Sequence, residues 1–329
     1  MTGQIRDTNG RRIDYARISV TDRCNFRCVY CMPEDGVSPL THEDIMRYED
    51  ILFLCRALGD LGVRKIRFTG GEPLVRKGFV PFLKEFRASF PGIALSLTTN
   101  ASLLRRHAYE LAQTGLSGLN ISLDTLDPEK FRSITRVGDI SDVMDGIRAA
   151  LASGIPNIKT NTVPMRGFND ADLPLILSFA WENGLLPRLI EFMPIDDDVW
   201  RRKMFVGEDE ILAALSRRFG AWTQLGPDSS SAAHPQGPAR YYRDAGGRTV
   251  GVIAAVSNHF CQSCNRLRVT ASGQLRACLF SRREMPLLGL IRSGDYDGLG
   301  RAILEGMSAK PQRWEQERSG ALQMSNIGG

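Results

Sequence analysis

Six short runs of strand character alternate with helical patterns over the first 220 residues, and this alternation narrows the available folds more than any other feature. The runs are ARISVT (16–21), KIRFTG (65–70), IALSLTT (93–99), GLNISLD (118–124), NIKTNTV (157–163) and RLIEFM (188–193). Helical patterns fall at 43–60, 79–89, 103–113, 141–153 and 171–183, with Thr41 or Asp44 as cap candidates for the first. Gly59, Gly62, Gly115, Gly154 and Gly184 stand near helix ends, where a glycine stop belongs. Parallel strands need a long crossover, and a helix supplies it, so repeated strand–helix units build a parallel sheet with helices outside. A closed eight-stranded barrel takes about 250 residues. Six units therefore predict an α/β fold, either an incomplete (β/α)6 TIM-like barrel or a doubly wound sheet. Residues 225–240, LGPDSSSAAHPQGPAR, read as a loop or linker. The short strands and helical patterns beyond it predict a C-terminal α+β part. The expected division is a core domain at 1–220 and a C-terminal domain at 221–329.

Strand parity says where the polar chemistry sits. Side chains alternate faces along a strand. Lys65, Arg67 and Thr69 share one face of KIRFT, opposite Ile66 and Phe68. Lys159 and Asn161 share a face in the fifth run, Asn120, Ser122 and Asp124 in the fourth. Arg266 and Arg268 oppose Leu267 and Val269 in RLRV. If helices cover the apolar face, the charged face points into a lumen or cleft. Burying unpaired cations costs several kcal/mol each, so that lumen must be wet or hold a polyanion. Solvated edge strands are the plainer alternative.

The net charge of +5 is a mild basic bias, which suits an anionic small substrate as well as nucleic acid. There is no basic arm and no interleaved aromatic platform for single-stranded nucleic acid. The N-terminal sequence has no apolar h-region, and the longest apolar stretches fall short of the ~18–20 residues of a membrane span. A cytoplasmic protein without a membrane partner is expected, and cytoplasmic thiols stay reduced.

Seven cysteines in that setting point to metal or redox chemistry. Cys24, Cys28 and Cys31 form C-x3-C-x2-C in the loop after the first strand. Cys261, Cys264 and Cys278 form C-x2-C-x13-C. Cys55 stands alone in an apolar helical pattern and reads as a small core residue. Thiolates are soft ligands for zinc or iron–sulfur centres. Zinc needs a fourth ligand, for which His42 and His259 are the candidates. Three thiolates around a cubane of four irons would leave one iron free. TGGEP (69–73) follows the second strand. Gly70 and Gly71 permit a close backbone approach to a ligand, and Glu72 places a carboxylate at the C-terminal end of a parallel strand.

The cysteine triplet, with Tyr30 before its last member and GGEP on the next strand, resembles the radical S-adenosylmethionine (SAM) superfamily. The resemblance implies the partial barrel of that superfamily, its mouth closed by the C-terminal domain. It implies a 4Fe–4S cluster on Cys24, Cys28 and Cys31 whose free iron binds SAM, with Tyr30, Gly70, Gly71, Glu72, Ser122 and Met193 as SAM contacts. Reductive cleavage of SAM would then give methionine and a 5′-deoxyadenosyl radical.

Further segments carry a narrower resemblance. VTDRCNFRCVYCMP, LTTN, NISLD, IEFMP, FCQSCNRLRVTASGQLRACL and the terminal IGG resemble the GTP 3′,8-cyclase family over nearly the whole chain. That implies a second 4Fe–4S cluster on Cys261, Cys264 and Cys278, whose open iron takes the guanine of GTP. The implied reaction joins the ribose 3′ carbon to carbon 8 of the same guanine, giving (8S)-3′,8-cyclo-7,8-dihydroguanosine 5′-triphosphate, the first step of molybdenum cofactor biosynthesis. The implied GTP contacts are Arg17, Lys65, Arg67, Thr98, Lys159, Arg188, Arg266, Leu267 and Arg268, with Arg17, Arg266 and Arg268 also catalytic. The Gly328–Gly329 tail would enter the pocket. Implied partners are an electron donor such as flavodoxin or ferredoxin and a downstream cyclic pyranopterin monophosphate synthase, and a homodimer is compatible with them. Two alternatives remain at this point: a radical SAM enzyme that modifies a peptide or RNA, and a zinc-dependent nucleic-acid-binding module. One tension stands as well, since Arg188 and Met193 have opposite parity in one run.

Overall fold

The computed structural model describes residues 3–196, 199–226 and 237–317. The Gly328–Gly329 tail and residues 227–236 of the linker lie outside the described residues. The six expected strands are β1 (Tyr15–Ser19), β2 (Lys65–Thr69), β3 (Ala94–Thr99), β4 (Gly118–Ser122), β5 (Ile158–Thr162) and β6 (Leu186–Ile190). They pair in parallel in chain order. Their crossovers carry α1 (Tyr48–Asp60), α2 (Phe79–Ser89), α3 (Leu104–Ala112), α4 (Pro128–Thr135), α5 (Ile140–Ala152) and α6 (Leu173–Glu182), and α7 (Glu208–Phe219) follows β6.

Three helices differ from the sequence expectation, α7 among them because no helical run is read between residue 183 and the linker. α1 starts at Tyr48, not residue 43. Thr41 and Asp44 do exchange cap-like hydrogen bonds, but they close only an isolated turn. The Met46 N–H is spent on the Ala271 carbonyl at 2.9 Å, which interrupts any helix there. α4 was not expected, although Asp127 caps it by accepting from Lys130 N–H and Pro128 occupies its first turn.

The C-terminal part comprises β7 (Trp222–Gln224), β8 (Arg240–Asp244), β9 (Thr249–Ile253), β10 (Arg266–Val269), β11 (Gln274–Arg276), β12 (Met285–Pro286), α8 (Leu288–Ser293) and α9 (Tyr296–Ser308). It extends the core sheet at both edges. β9 pairs in parallel with β6, and β10 in parallel with β1. The sheet order is β12-β11-β10-β1-β2-β3-β4-β5-β6-β9-β8-β7, mixed at its ends and open among the described residues. The partial barrel therefore gains a parallel strand on each side beyond the six βα units.

The apolar parity partners face the helices. Ile18, Ile66, Phe68, Leu95, Leu97, Leu119, Ile121 and Leu267 are fully buried there. Phe68 meets Phe79, Phe82 and Phe86 edge-on, and each such ring contributes about 1.5–3 kcal/mol by leaving water. Cys55 packs in the same core, as its apolar surroundings predict. One buried carboxylate ties the two parts together. Glu191, just past β6, accepts from the backbone N–H of Glu208, Val256 and Ser257 at 3.0, 2.7 and 2.9 Å. This fixes the loop that leads from β9 to the second cysteine set. No described helix is long and apolar enough to cross a membrane.

Candidate active site

The loop after β1 carries the first cysteine set and packs on the turn after β2. Gly71 N–H donates to Thr21 O and Glu72 N–H to Arg23 O, both at 2.8 Å. A Cβ on Gly70 would lie 2.5 Å from Thr21 O, and one on Gly71 2.3 Å from Arg23 O. Both glycines also line the cavity, but the contact that demands them is with the cysteine loop's backbone. Glu72 is 1% exposed and accepts from Leu74 N–H, the Thr99 hydroxyl and Asn100 N–H at 3.1, 2.8 and 2.7 Å. Burial raises its carboxyl to about 7 against those three bonds. Cys24 Sγ accepts from Phe26 N–H at 3.4 Å and Asn100 Nδ2 at 3.9 Å. Burial raises the Cys24 thiol to about 11 and Cys31 to about 12, and pushes Cys28 well up. Tyr30 donates to Asp124 at 2.6 Å, and burial brings that carboxyl up to about 6.

In the second cysteine set burial raises Cys261 as it raises the first three thiols, but Cys264 is shifted the other way. Cys261 opens a short turn, Cys264 precedes β10 and Cys278 follows β11. Burial raises Cys264, yet Arg266 and Lys310 outweigh it and bring the thiol down to about 6. Arg266 Nη2 lies 3.7 Å from Cys264 Sγ, and its guanidinium covers the Phe260 ring at 4.6 Å.

Between the sets lies the charged face that parity picked out. Strand register puts Arg268, Arg17 and Arg67 side by side, with Arg266, Tyr15 and Lys65 in the neighbouring row. Like charges directly opposite in a sheet repel. Burial lowers Arg17 and Arg188 to about 10 and Lys159 to about 7, and neighbouring cations add to each shift. Burial, then Arg17 and Arg266, push Arg268 well down. Among the described residues, Lys65, Arg67, Lys159, Arg188 and Arg266 have no ion pair with a carboxylate. Arg188 Nε is buried without a hydrogen-bond partner. Arg67 is aimed by Tyr15, whose hydroxyl accepts from Nε at 2.7 Å, and by Leu97 O, which accepts from Nη1 at 2.8 Å.

Both cysteine sets and this face line one cavity of about 330 Å³. Arg17, Tyr30, Lys65, Thr98, Ser122, Lys159, Arg188 and Met193 all reach it, as do Glu72, Arg67, Arg266 and Arg268. Leu267 does not line it, because its side chain is fully buried on the opposite face in the core. The parity conflict between Arg188 and Met193 disappears because β6 ends at Ile190, so Met193 no longer alternates with the strand. Asp124, which parity aligned with Asn120 and Ser122, lines the cavity too, as do Tyr15, Asn100 and Lys310, which the sequence did not single out. Tyr15 was within reach: had the first strand begun one residue earlier, parity would have paired it with Arg17.

The donor chemistry fits iron–sulfur clusters. All six thiols are free, and they stand at two ends of a common cavity. His42 is exposed and does not line the cavity, so it offers the first set no fourth ligand. His259 does line the cavity beside the second set, its Nε2 facing Glu315 at 3.8 Å and its Nδ1 buried without a hydrogen-bond partner. Among the described residues no three His, Cys, Asp or Glu side chains are grouped to grip a single metal ion. An N–H···S contact on Cys24 and an Arg beside Cys264 are the kind of outer contacts that tune cluster sulfurs.

A partial barrel with three thiolates in its first βα loop is the architecture of a radical SAM protein. Residues 18–180 match the profile of the radical SAM superfamily, and residues 187–316 match Molybdenum Cofactor Synthesis C. The chain belongs to the GTP 3′,8-cyclase family. A GTP 3′,8-cyclase of Thermodesulfovibrio yellowstonii is 41% identical over 329 residues, covering 99% of this chain and 100% of that one. One from Moorella thermoacetica is 44% identical over 334 residues, with the same coverage. Among solved structures, Streptococcus suis SuiB bound to S-adenosylmethionine superposes with a TM-score of 0.61 at 14% identity, over 92% of this chain and 69% of that one, a likeness of fold.

Proposed function

We propose that this chain is the radical SAM enzyme that converts GTP to (8S)-3′,8-cyclo-7,8-dihydroguanosine 5′-triphosphate, the first step toward the molybdenum cofactor. One observation carries the reading: a single cavity joins two three-cysteine sets across a sheet face crowded with cations. Two 4Fe–4S clusters and SAM are its cofactors; the first cluster, once reduced, and SAM would supply the 5′-deoxyadenosyl radical that takes hydrogen from the ribose.

The chain's own residues then have assignable tasks. Cys24, Cys28 and Cys31 hold one cluster at the C-terminal end of β1. Tyr30, Gly70, Gly71, Glu72, Ser122 and Met193 bind SAM, whose positive charges suit the carboxylates of Glu72 and Asp124. Cys261, Cys264 and Cys278 hold the second cluster. Lys65, Arg67, Lys159 and Arg188 receive the triphosphate, each charge-assisted hydrogen bond being worth about 1.5–3 kcal/mol. Its negative charge relieves the repulsion along the arginine rows. Arg17, Arg266 and Arg268 hold the nucleoside at the second cluster and keep the ribose toward the first. Thr98 adds a hydroxyl contact, and Leu267 can contribute only through its backbone. We assign residues 1–220 to SAM activation and residues 221–329 to the second cluster and to substrate binding, which the cations of the first part share. On the family resemblance we add a flavodoxin- or ferredoxin-type electron donor, a downstream cyclic pyranopterin monophosphate synthase and a cytoplasmic setting; a homodimer is compatible with all three.

The test is an anaerobic incubation of reconstituted protein with SAM, dithionite and GTP, followed by mass spectrometry. The reading expects 5′-deoxyadenosine and a cyclised nucleotide in equal amounts. Deoxyadenosine that is indifferent to GTP, with no cyclised product, overturns the substrate assignment.

A further inference from the structure

Lys310 lies just beyond α9 and is 4% exposed. Its ammonium donates to the carbonyl of Arg266 at 2.8 Å and to the carbonyl of Ala277. Arg266 stands two residues after Cys264, and Ala277 directly precedes Cys278. One side chain thus fastens together the two segments that bring Cys264 and Cys278 to the same place. Arg11 performs the matching task for Cys261, donating to its carbonyl at 2.7 Å and to the Pro311 carbonyl at 2.7 Å.

The two cations differ in one respect. Arg11 has a counter-charge of its own in Asp7. Among the described residues no carboxylate pairs with Lys310. A buried ammonium held only by neutral carbonyls is costly unless an anion lies close. Lys310 lines the cavity at the end where the second cysteine set sits, and three thiolates around an iron–sulfur core carry net negative charge.

We propose that Lys310 is a positioning residue of the second cluster, holding the Cys264 and Cys278 segments in register and supplying the buried positive charge that the cluster balances. The inference rests on the assignment of Cys261, Cys264 and Cys278 to that cluster. Because a nearby cation favours the more reduced, more negative state, Lys310 raises the cluster's reduction potential. An arginine there keeps the charge, and a methionine keeps much of the volume without it.

The test uses the full-length chain in a C24A/C28A/C31A background, which leaves the second cluster alone for measurement. Iron and sulfide are counted after anaerobic reconstitution, and the midpoint potential is followed by electron paramagnetic resonance. Lys310→Met is expected to lower the potential, or to lose at least half of the cluster iron, while Lys310→Arg stays near the parent in both. Unchanged iron and potential in Lys310→Met overturn the proposal. Equal losses in Lys310→Met and Lys310→Arg overturn the role of charge. If the parent background itself takes up no cluster, the cysteine assignment fails and this inference with it.

Discussion

The two cysteine sets share a cavity and have contrary surroundings. Around Cys24, Cys28 and Cys31 the near ionisable groups are Glu72, Asp124 and Tyr30, and all three thiols are pushed up. In the second set burial raises Cys261, but Arg266 and Lys310 stand around Cys264 and that thiol is pulled down. An acidic, buried end welcomes a ligand that carries an amine and a sulfonium. A cationic end welcomes a polyanion. On the proposed function, this charge contrast would sort SAM and GTP to opposite ends of one cavity before any fine contact is made.

The largest test of this contrast separates the ends by what each loses. Cys24→Ser should abolish both deoxyadenosine and cyclised nucleotide, a fall of at least ~1000-fold, because no radical forms. Cys264→Ser should lose the cyclised nucleotide to a similar degree and still cleave SAM slowly. Equal loss of SAM cleavage in the two variants, measured by liquid chromatography, would erase the division of labour.

Next in size is the cationic side. Arg266→Ala or Arg268→Ala should lower product formation roughly 100-fold, the scale of losing a positioned charge at the reacting group, with iron content at both clusters kept. Loss of iron in these variants would make the arginines structural. Gly71→Ala sharpens the other end. Its Cβ would meet Arg23 O at 2.3 Å, so the cysteine loop must move. Iron should fall by about half, all of it from the first cluster, as read by Mössbauer spectroscopy.

A further test is a pH dependence of GTP binding. Burial and then Arg188, Lys65 and Arg67 hold Lys159 at about 7 in the free protein. Burial raises Tyr15, but Arg67, Arg17 and Lys65 outweigh it and leave the hydroxyl at about 7. A bound triphosphate moves both upward, so binding takes up protons. Affinity is therefore full below about 7 and declines as pH rises toward the bound values, by up to about tenfold per unit for each group. Equilibrium dialysis between pH 7.5 and 9, above the titration of the nucleotide's own terminal phosphate, should show the decline. The double variant K159M/Y15F should flatten it, and a flat wild-type profile would contradict it.

Much of this site is legible in the sequence. Period-two alternation named Lys65, Arg67, Lys159, Arg266 and Arg268 as sharing the lumen side, because one face of a helix-covered sheet must be apolar. Cysteine spacing named both sets. What stayed hidden depended on contacts between distant segments. Nothing local says that β10 lies beside β1, so the Arg268–Arg17–Arg67 row could not be read from sequence. The need for Gly70 and Gly71 was legible as close approach, but the partner proved to be the Thr21–Arg23 backbone. Lys310 is an ordinary lysine in sequence, and only its burial against the Arg266 and Ala277 carbonyls singles it out.

The placement of β9 and β10 has a consequence for synthesis. When the ribosome has made the first 220 residues, β1 and β6 are both bare edges, each with a row of unsatisfied N–H and C=O groups. Their partners emerge only with residues 249–253 and 266–269. Such edges invite pairing between chains. A nascent chain of this kind is at its most aggregation-prone until those strands emerge, and edge closure and convergence of the Cys261, Cys264 and Cys278 set wait for them, whereas Cys24, Cys28 and Cys31 are together from the start.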